Sequence, residues 1–166
     1  MRLCGDLETN GLLVPTPESP VTMDKIWCAV FEDMDTGEEI ILPPNRIDEL
    51  PDVLVECDEL IMHHLMGFDR LAILKVYGYA VPKNICTDTL VWSNLLHPDR
   101  KHKKGFVGKA GAHSIEAYGY RFGVPKPKHE DWLHYSDAML HRCKVDKDIN
   151  VKVYDMLMKE KSNGSR

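Results

Sequence analysis

The sequence predicts a single α/β domain, a mixed five-stranded sheet with helices packed on it. Three observations carry this. Three strand-like runs precede the first helical pattern, which reads as a meander. Strand and helix patterns then alternate, which is how parallel strands are joined. The chain has 166 residues, the size of one domain that buries about two-thirds of its unfolded surface, so 1–166 is read as one unit.

Leu3 to Glu8 reads as a short strand with a polar exit. Gly11 to Thr22 holds Pro15, Pro17 and Pro20 and reads as a loop. Lys25 to Asp33 is a continuous apolar run of strand-forming residues, expected as a central strand. Asp35-Thr-Gly37 signals a turn, and Glu38 to Leu42 returns as the third strand. Ile47, Leu50, Leu54 and Val55 recur at helical spacing between Arg46 and Cys57, with Pro51 as a point where that helix could split. Glu59 to His63 is the fourth strand. Phe68 to Tyr77 reads as a helix closed by Gly78. Asn84 to Thr89 is the fifth strand, followed by a short helix from Leu90 to Leu96 that Pro98 stops. Arg100 to Lys109 is a loop. Ala112 to Phe122 reads as a helix ended by Gly123, and Pro125 and Pro127 force another loop. Ser136 to Glu160 is helical, in one helix or two, and Lys161 to Arg166 reads as a frayed tail.

Composition excludes several classes. Hydrophobic residues at 43% and charged residues at 28% are globular values, not those of a disordered or collagenous chain. Twenty-one Lys+Arg against 26 Asp+Glu leave a net charge of -5, which argues against nucleic-acid binding by bulk charge but not against a local basic strip. No apolar run approaches the ~18 residues of a membrane span, and Asp6 and Glu8 interrupt any signal-peptide core, so no membrane partner is expected. Cys4, Cys28, Cys57, Cys86 and Cys143 are scattered and form no C-x-x-C pair. They read as reduced, buried thiols of a cytoplasmic protein.

The chemistry begins at Asp6-Leu7-Glu8. Alternation along a strand puts both carboxylates on one face, where they repel by about 4 kcal/mol at ~4 Å and an effective dielectric of 20. A cation would offset that cost, and an oxygen-only set suits Mg²⁺ or Mn²⁺. Two solvated surface acids are the simpler alternative. Asp69 follows a short apolar strand and opens a helix, where an acid can also just serve the first turn. Asp146 lies near the start of the last helical run, with His141 five residues earlier. Residues five apart sit about 140° apart on a straight helix, so a break or bend is needed to bring both to one site.

The joint order of D-x-E, F-D after a strand, and H-x-x-x-x-D near the C-terminus resembles the DEDD superfamily of 3′–5′ exonucleases, and within it the proofreading domain of phage family-A DNA polymerases. The resemblance runs through Asp6-Leu-Glu-Thr9, His63 to Asp69, Cys86-Thr-Asp-Thr-Leu90, Leu95-Leu-His97 and Cys143-Lys-Val-Asp146. Its most specific stretch is His113-Ser-Ile-Glu-Ala-Tyr-Gly-Tyr-Arg-Phe-Gly123. It implies an RNase H-like fold with the second strand antiparallel. It further implies Asp6, Glu8, Asp69 and Asp146 as catalytic ligands of two divalent ions, Mg²⁺ or Mn²⁺. The implied activity is hydrolysis of single-stranded DNA from the 3′ end, with RNA as the alternative substrate. The chain, ending at Arg166, is expected to be either a separate gene product or an excised domain. If it proofreads as a separate product, a separate DNA polymerase chain is the implied partner, and the host cytoplasm is the implied location for a phage product.

The chain departs from that pattern twice. Arg142 stands where the nearest relatives carry a tyrosine, and an arginine is no base at ordinary pH. His141 matches the histidine of the superfamily's other branch and is the expected general base. His64 stands where those relatives have an asparagine that touches the substrate strand. Thr9, Leu12 and His64 are the implied substrate contacts near the metals. Arg100, Lys101, Lys103, Lys104 and Lys109, with no acid between them, are the candidate phosphate strip, against the alternative of a solvated loop. Lys126, Lys128 and His129 form a smaller basic cluster, and Phe106 could stack on a base. Trp27 and Trp92 read as core. The competing reading is a catalytically reduced nucleic-acid or polymerase-binding module, with Arg142 and His64 as its evidence.

Overall fold

The computed structural model describes residues 1–17 and 20–164. Five strands form one sheet: β1 (Arg2–Thr9), β2 (Ile26–Asp33), β3 (Glu39–Leu42), β4 (Glu59–Met62) and β5 (Cys86–Asp88), in the order β3-β2-β1-β4-β5. β2 is antiparallel to both of its neighbours, and β1, β4 and β5 run parallel. This is the mixed α/β sheet predicted, and the reversed second strand agrees with an RNase H-like arrangement. Five helices flank it: α1 (Leu50–Val55), α2 (Asp69–Tyr77), α3 (Thr89–Leu96), α4 (Ile115–Phe122) and α5 (Asp137–Gly164).

Alternation along the strands builds two apolar layers. Leu3 and Leu7 of β1, Ala29 and Phe31 of β2, and Leu60 and Met62 of β4 pack with Leu50, Leu54, Ala72 and Ile73 of α1 and α2. A Cβ on Gly5 would run into the Phe31 ring, so this layer closes only over a glycine. On the opposite face, Cys28 and Val30 pack with Met139 and Cys143 of α5, and Cys4 and Ile61 pack with Tyr154. Asp6 and Glu8 alternate with Leu7 on β1, so they project toward α5 rather than α2.

Several boundaries differ from the sequence reading for local reasons. Pro51 does not split α1 but sits in its first turn, where a missing N–H costs nothing. A short 3₁₀ turn at Ile47–Glu49 precedes it. α4 starts at Ile115 because the Ser114 hydroxyl accepts the Ala117 N–H as its cap. Gly78 (φ 67°) and Gly123 (φ 74°) end α2 and α4 in the left-handed conformation. α5 is a single helix of 28 residues, so the expected frayed tail is helical as far as Gly164. Glu18 and Ser19 of the proline-rich loop, and Ser165 and Arg166 of the tail, lie outside the described residues. Among the described residues no helix is long and apolar enough to cross a membrane.

Candidate metal centre and nucleic-acid face

β1 brings Asp6 and Glu8 under α5, which supplies Asp146. One turn earlier on α5, Cys143 Sγ donates to the Asp6 carbonyl oxygen at 3.3 Å and fastens the helix to the strand at this point. Oxygens of Asp6, Glu8 and Asp146 lie within 4.8 Å of one another. Glu8 is 7% and Asp146 5% exposed, yet Glu8 Oε1 and Asp146 Oδ1 are buried with no hydrogen-bond partner. Buried polar atoms are normally satisfied, so Asp146 Oδ1, with no partner, and Glu8 Oε1, with an ion pair but no hydrogen bond, are an exception. Their lone pairs, with Asp6, make an oxygen-only donor set that fits Mg²⁺ or Mn²⁺.

The acids bear the electrostatic signature of that crowding. Burial, then Glu8, Asp146 and Asp69, push the Asp6 carboxyl well above the usual range. Burial raises Glu8 to about 7 even though Arg142 pulls it down. Asp146 is also raised by burial, against the opposing charge of Lys126. Asp69 opens α2, is 4% exposed, and is pushed up to about 8 by burial with help from Asp88 and Glu8. It stands close enough to Asp6 and Glu8 to raise both the local field and its own pKa, but outside the group of three.

Two cations face these acids. Lys126 Nζ lies 2.5 Å from Asp146 Oδ2. Arg142 Nε lies 3.2 Å from Glu8 Oε1, an ion pair whose N–H is not aimed to make a hydrogen bond. Arg142 Nη1 donates to the Pro127 carbonyl at 2.6 Å, and the guanidinium lies 5.1 Å from the centre of the Trp132 ring. The place of Arg142 one helical turn before Asp146 signals its side in advance. Nothing local signals Trp132, which arrives from another segment and is anchored when Trp27 Nε1 donates to its carbonyl at 3.0 Å.

A cavity of about 650 Å³ opens beside the cluster, lined by Asp6, Lys126, Arg142 and Asp146 together with His63, His113 and Glu116. His63 Nδ1 lies 2.9 Å from Thr89 Oγ1, whose hydroxyl donates to Asn150 Oδ1 at 2.7 Å. With that proton committed, Thr89 accepts from His63 Nδ1–H, and His63 Nε2 is left as a buried, unpartnered acceptor. Burial holds this imidazole neutral, with its pKa lowered to about 4. His64 is exposed and takes a left-handed backbone (φ 69°), a conformation in which His and Asn are both enriched. Its N–H and that of Met66 donate to Asp88 at 3.1 and 2.9 Å, and Asp88 also caps α3. Asp88, within the Cys86-Thr-Asp-Thr-Leu90 stretch but given no role by the sequence, therefore shapes the loop that leads to Asp69.

The remaining expected residues divide. α5 has no break between His141 and Asp146: His141 is exposed and Asp146 buried, about 140° apart. Thr9 Oγ1 donates to the Gly11 carbonyl at 2.8 Å. Thr9 and Leu12, with Glu8, Phe68 and Trp132, line a second cavity of about 340 Å³. In the basic loop, Arg100 is committed elsewhere, gripping Glu160 of α5 through two hydrogen bonds of 3.1 and 2.6 Å. Lys103 donates to the Arg121 carbonyl at 3.1 Å. Lys101, Lys104 and Lys109 are exposed. Phe106 stacks on His102 at 4.7 Å and meets Tyr120 edge-on, so its face is already used within the loop. Trp27 and Trp92, read as core, are half-buried at the edges of the α5 layer.

No protein-family model matches the chain. Two phage proteins are similar to it, each over 147 aligned positions that take in 78% of this chain. They are the DNA-directed DNA polymerase of Escherichia phage T7, 28% identical, and the DNA-directed DNA polymerase of Enterobacteria phage T3, 32% identical. The matched segment is 20% of each polymerase, so the chain spans about a fifth of the length of these relatives.

Proposed function

We propose that the chain is a metal-dependent 3′–5′ exonuclease of the DEDD type that removes nucleoside monophosphates from single-stranded DNA and serves DNA replication in a phage-infected cell, in the host cytoplasm. The observation that carries the reading is the buried carboxylate cluster, in which oxygens of Asp6, Glu8 and Asp146 lie within 4.8 Å of one another and Asp146 Oδ1 has no hydrogen-bond partner. The similarity to two phage DNA polymerases supports DNA as the substrate and a polymerase as the partner, on this chain or another.

Asp6, Glu8 and Asp146 would hold the divalent ion, with Asp69 as the neighbouring fourth carboxylate. When bound, a divalent ion lowers the pKa of a water and offsets the charge that builds on the phosphate. The water oxygen bonds to phosphorus, the 3′ oxygen of the preceding nucleotide leaves and takes up a proton, and a nucleoside 5′-monophosphate is released. Lys126 faces the scissile phosphate, and His63 Nε2 accepts a hydrogen bond from a donor in the cavity. Thr9 and Leu12 border the space beside Glu8 that suits a terminal base, with His64 at the rim. Lys101, Lys103, Lys104 and Lys109 follow the backbone of the strand. The water's proton passes to solvent, because the guanidinium of Arg142 accepts no proton and His141, the base expected from the motif, projects from another side of α5 than Asp146.

The competing reading, a binding module without turnover, draws on the Arg142–Glu8 ion pair. A timed digestion of 5′-labelled single-stranded DNA with Mn²⁺ decides between them. The proposal expects a shortening ladder from the wild type and none from Asp146→Ala. DNA bound but uncut at every Mn²⁺ concentration overturns it in favour of the module.

A further inference from the structure

We infer that Arg142 is a built-in cation of the carboxylate site that takes the place of a second metal ion, so that the site binds one divalent ion and not two. The inference rests on the metal-dependent reading above and concerns how many ions that site takes.

Arg142 is held, not merely nearby. α5 sets it one turn before Asp146 on the same side of the helix. Its Nε reaches Glu8 at 3.2 Å, its Nη1 is tied to the Pro127 carbonyl at 2.6 Å, and its Cζ lies over the Trp132 ring, 5.1 Å from the ring centre. Trp132 is itself fixed to β2 by the 3.0 Å hydrogen bond from Trp27. The Arg142 side chain is 16% exposed. A planar guanidinium clamped between a carbonyl and an aromatic face has little freedom to swing away, and it stays charged at any working pH.

The charge count points the same way. With their protons displaced by a metal ion, Asp6, Glu8, Asp69 and Asp146 would carry four negative charges, and Arg142 and Lys126 return two. The two that remain match one divalent ion. The geometry agrees, because one oxygen from each of Asp6, Glu8 and Asp146 comes within 4.8 Å of the others, which is one ion's worth of ligands. Asp69 stands outside that group. A second ion at Glu8 would have to approach a guanidinium already in place, and like charges in a buried setting disfavour it.

Mn²⁺ titration of the metal-free protein, followed by calorimetry and by the electron paramagnetic resonance of free Mn²⁺, tests this without any assay of activity. Wild type and Arg142→Lys are expected to bind one Mn²⁺. Arg142→Gln and Arg142→Tyr, checked for folding by circular dichroism, are expected to bind two, the second at least tenfold more weakly. Two ions on the wild type, or a single ion on a folded Arg142→Gln, overturns the inference and leaves the exonuclease reading intact. No Mn²⁺ bound by the wild type, with Asp146→Asn behaving identically, overturns the metal-dependent reading itself. Should both neutral variants fail to fold, the wild-type count decides alone.

Discussion

Arg142 reaches Glu8 across the gap between α5 and β1, with Nε 3.2 Å from Oε1. The contact joins the residue that departs from the resembled pattern to one of the acids that define it. It also means that the metal-free carboxylate cluster is partly neutralised by the protein's own side chains.

Stability without metal should follow from this. Glu8 sits at about 7 and Asp69 at about 8 in the folded chain, against 4.5 and 3.8 ordinarily. Between about pH 6.5 and about pH 8 the folded state therefore holds protons that the unfolded state has released, so stability falls as pH rises. In a chelator the loss across that range is about 2 kcal/mol. Thermal melts at the two pH values measure it, and saturating Mn²⁺ should raise the midpoint most at the higher pH.

Neutralising one acid should stabilise what it disables. Asp6 is raised by burial and by three neighbouring carboxylates, so Asp6→Asn removes a repulsion the fold otherwise tolerates. In a chelator this variant should be more stable than wild type by about 1 kcal/mol, and it should gain little from Mn²⁺. A destabilised Asp6→Asn would show that the carboxylate is instead a structural acceptor.

The expected phosphate strip should split by function. Arg100 is bound to Glu160 with its side chain only 8% exposed, so Arg100→Ala should cost about 1–2 kcal/mol of stability. Lys101→Ala, Lys104→Ala and Lys109→Ala should leave the urea midpoint unchanged. Each should weaken DNA binding and flatten its salt dependence, measured by fluorescence anisotropy from low to high salt.

The His63 acceptor depends on a relay behind it. Thr89 and Asn150 are 0% and 1% exposed. Thr89→Val would strand both His63 Nδ1–H and Asn150 Oδ1, at about 1–3 kcal/mol by urea unfolding. Thr89→Ser should recover most of that loss.

How far these features were legible in the sequence varies with their range. The strands, the shared face of Asp6 and Glu8, and the glycine stops at Gly78 and Gly123 follow from alternation and backbone preference, which are local. Asp146 beside β1 was reached only through the joint motif order, because nothing local says which strand a helix covers. Arg100 misled, since a charge run does not reveal that Glu160, sixty residues on, holds one of its members. Trp132, Asp88 and the Thr89–Asn150 relay were not legible, because each acts through a contact that the fold alone creates.

Hydrolysis at the 3′ end is followed with an oligodeoxynucleotide labelled on its last nucleotide. With Mn²⁺, the wild type should release that label at once as a nucleoside 5′-monophosphate. His141→Ala should leave the release within a few-fold of wild type, and chelator or Asp146→Ala should stop it. Label that stays on the strand, or that first appears on longer fragments, would contradict hydrolysis at the 3′ end.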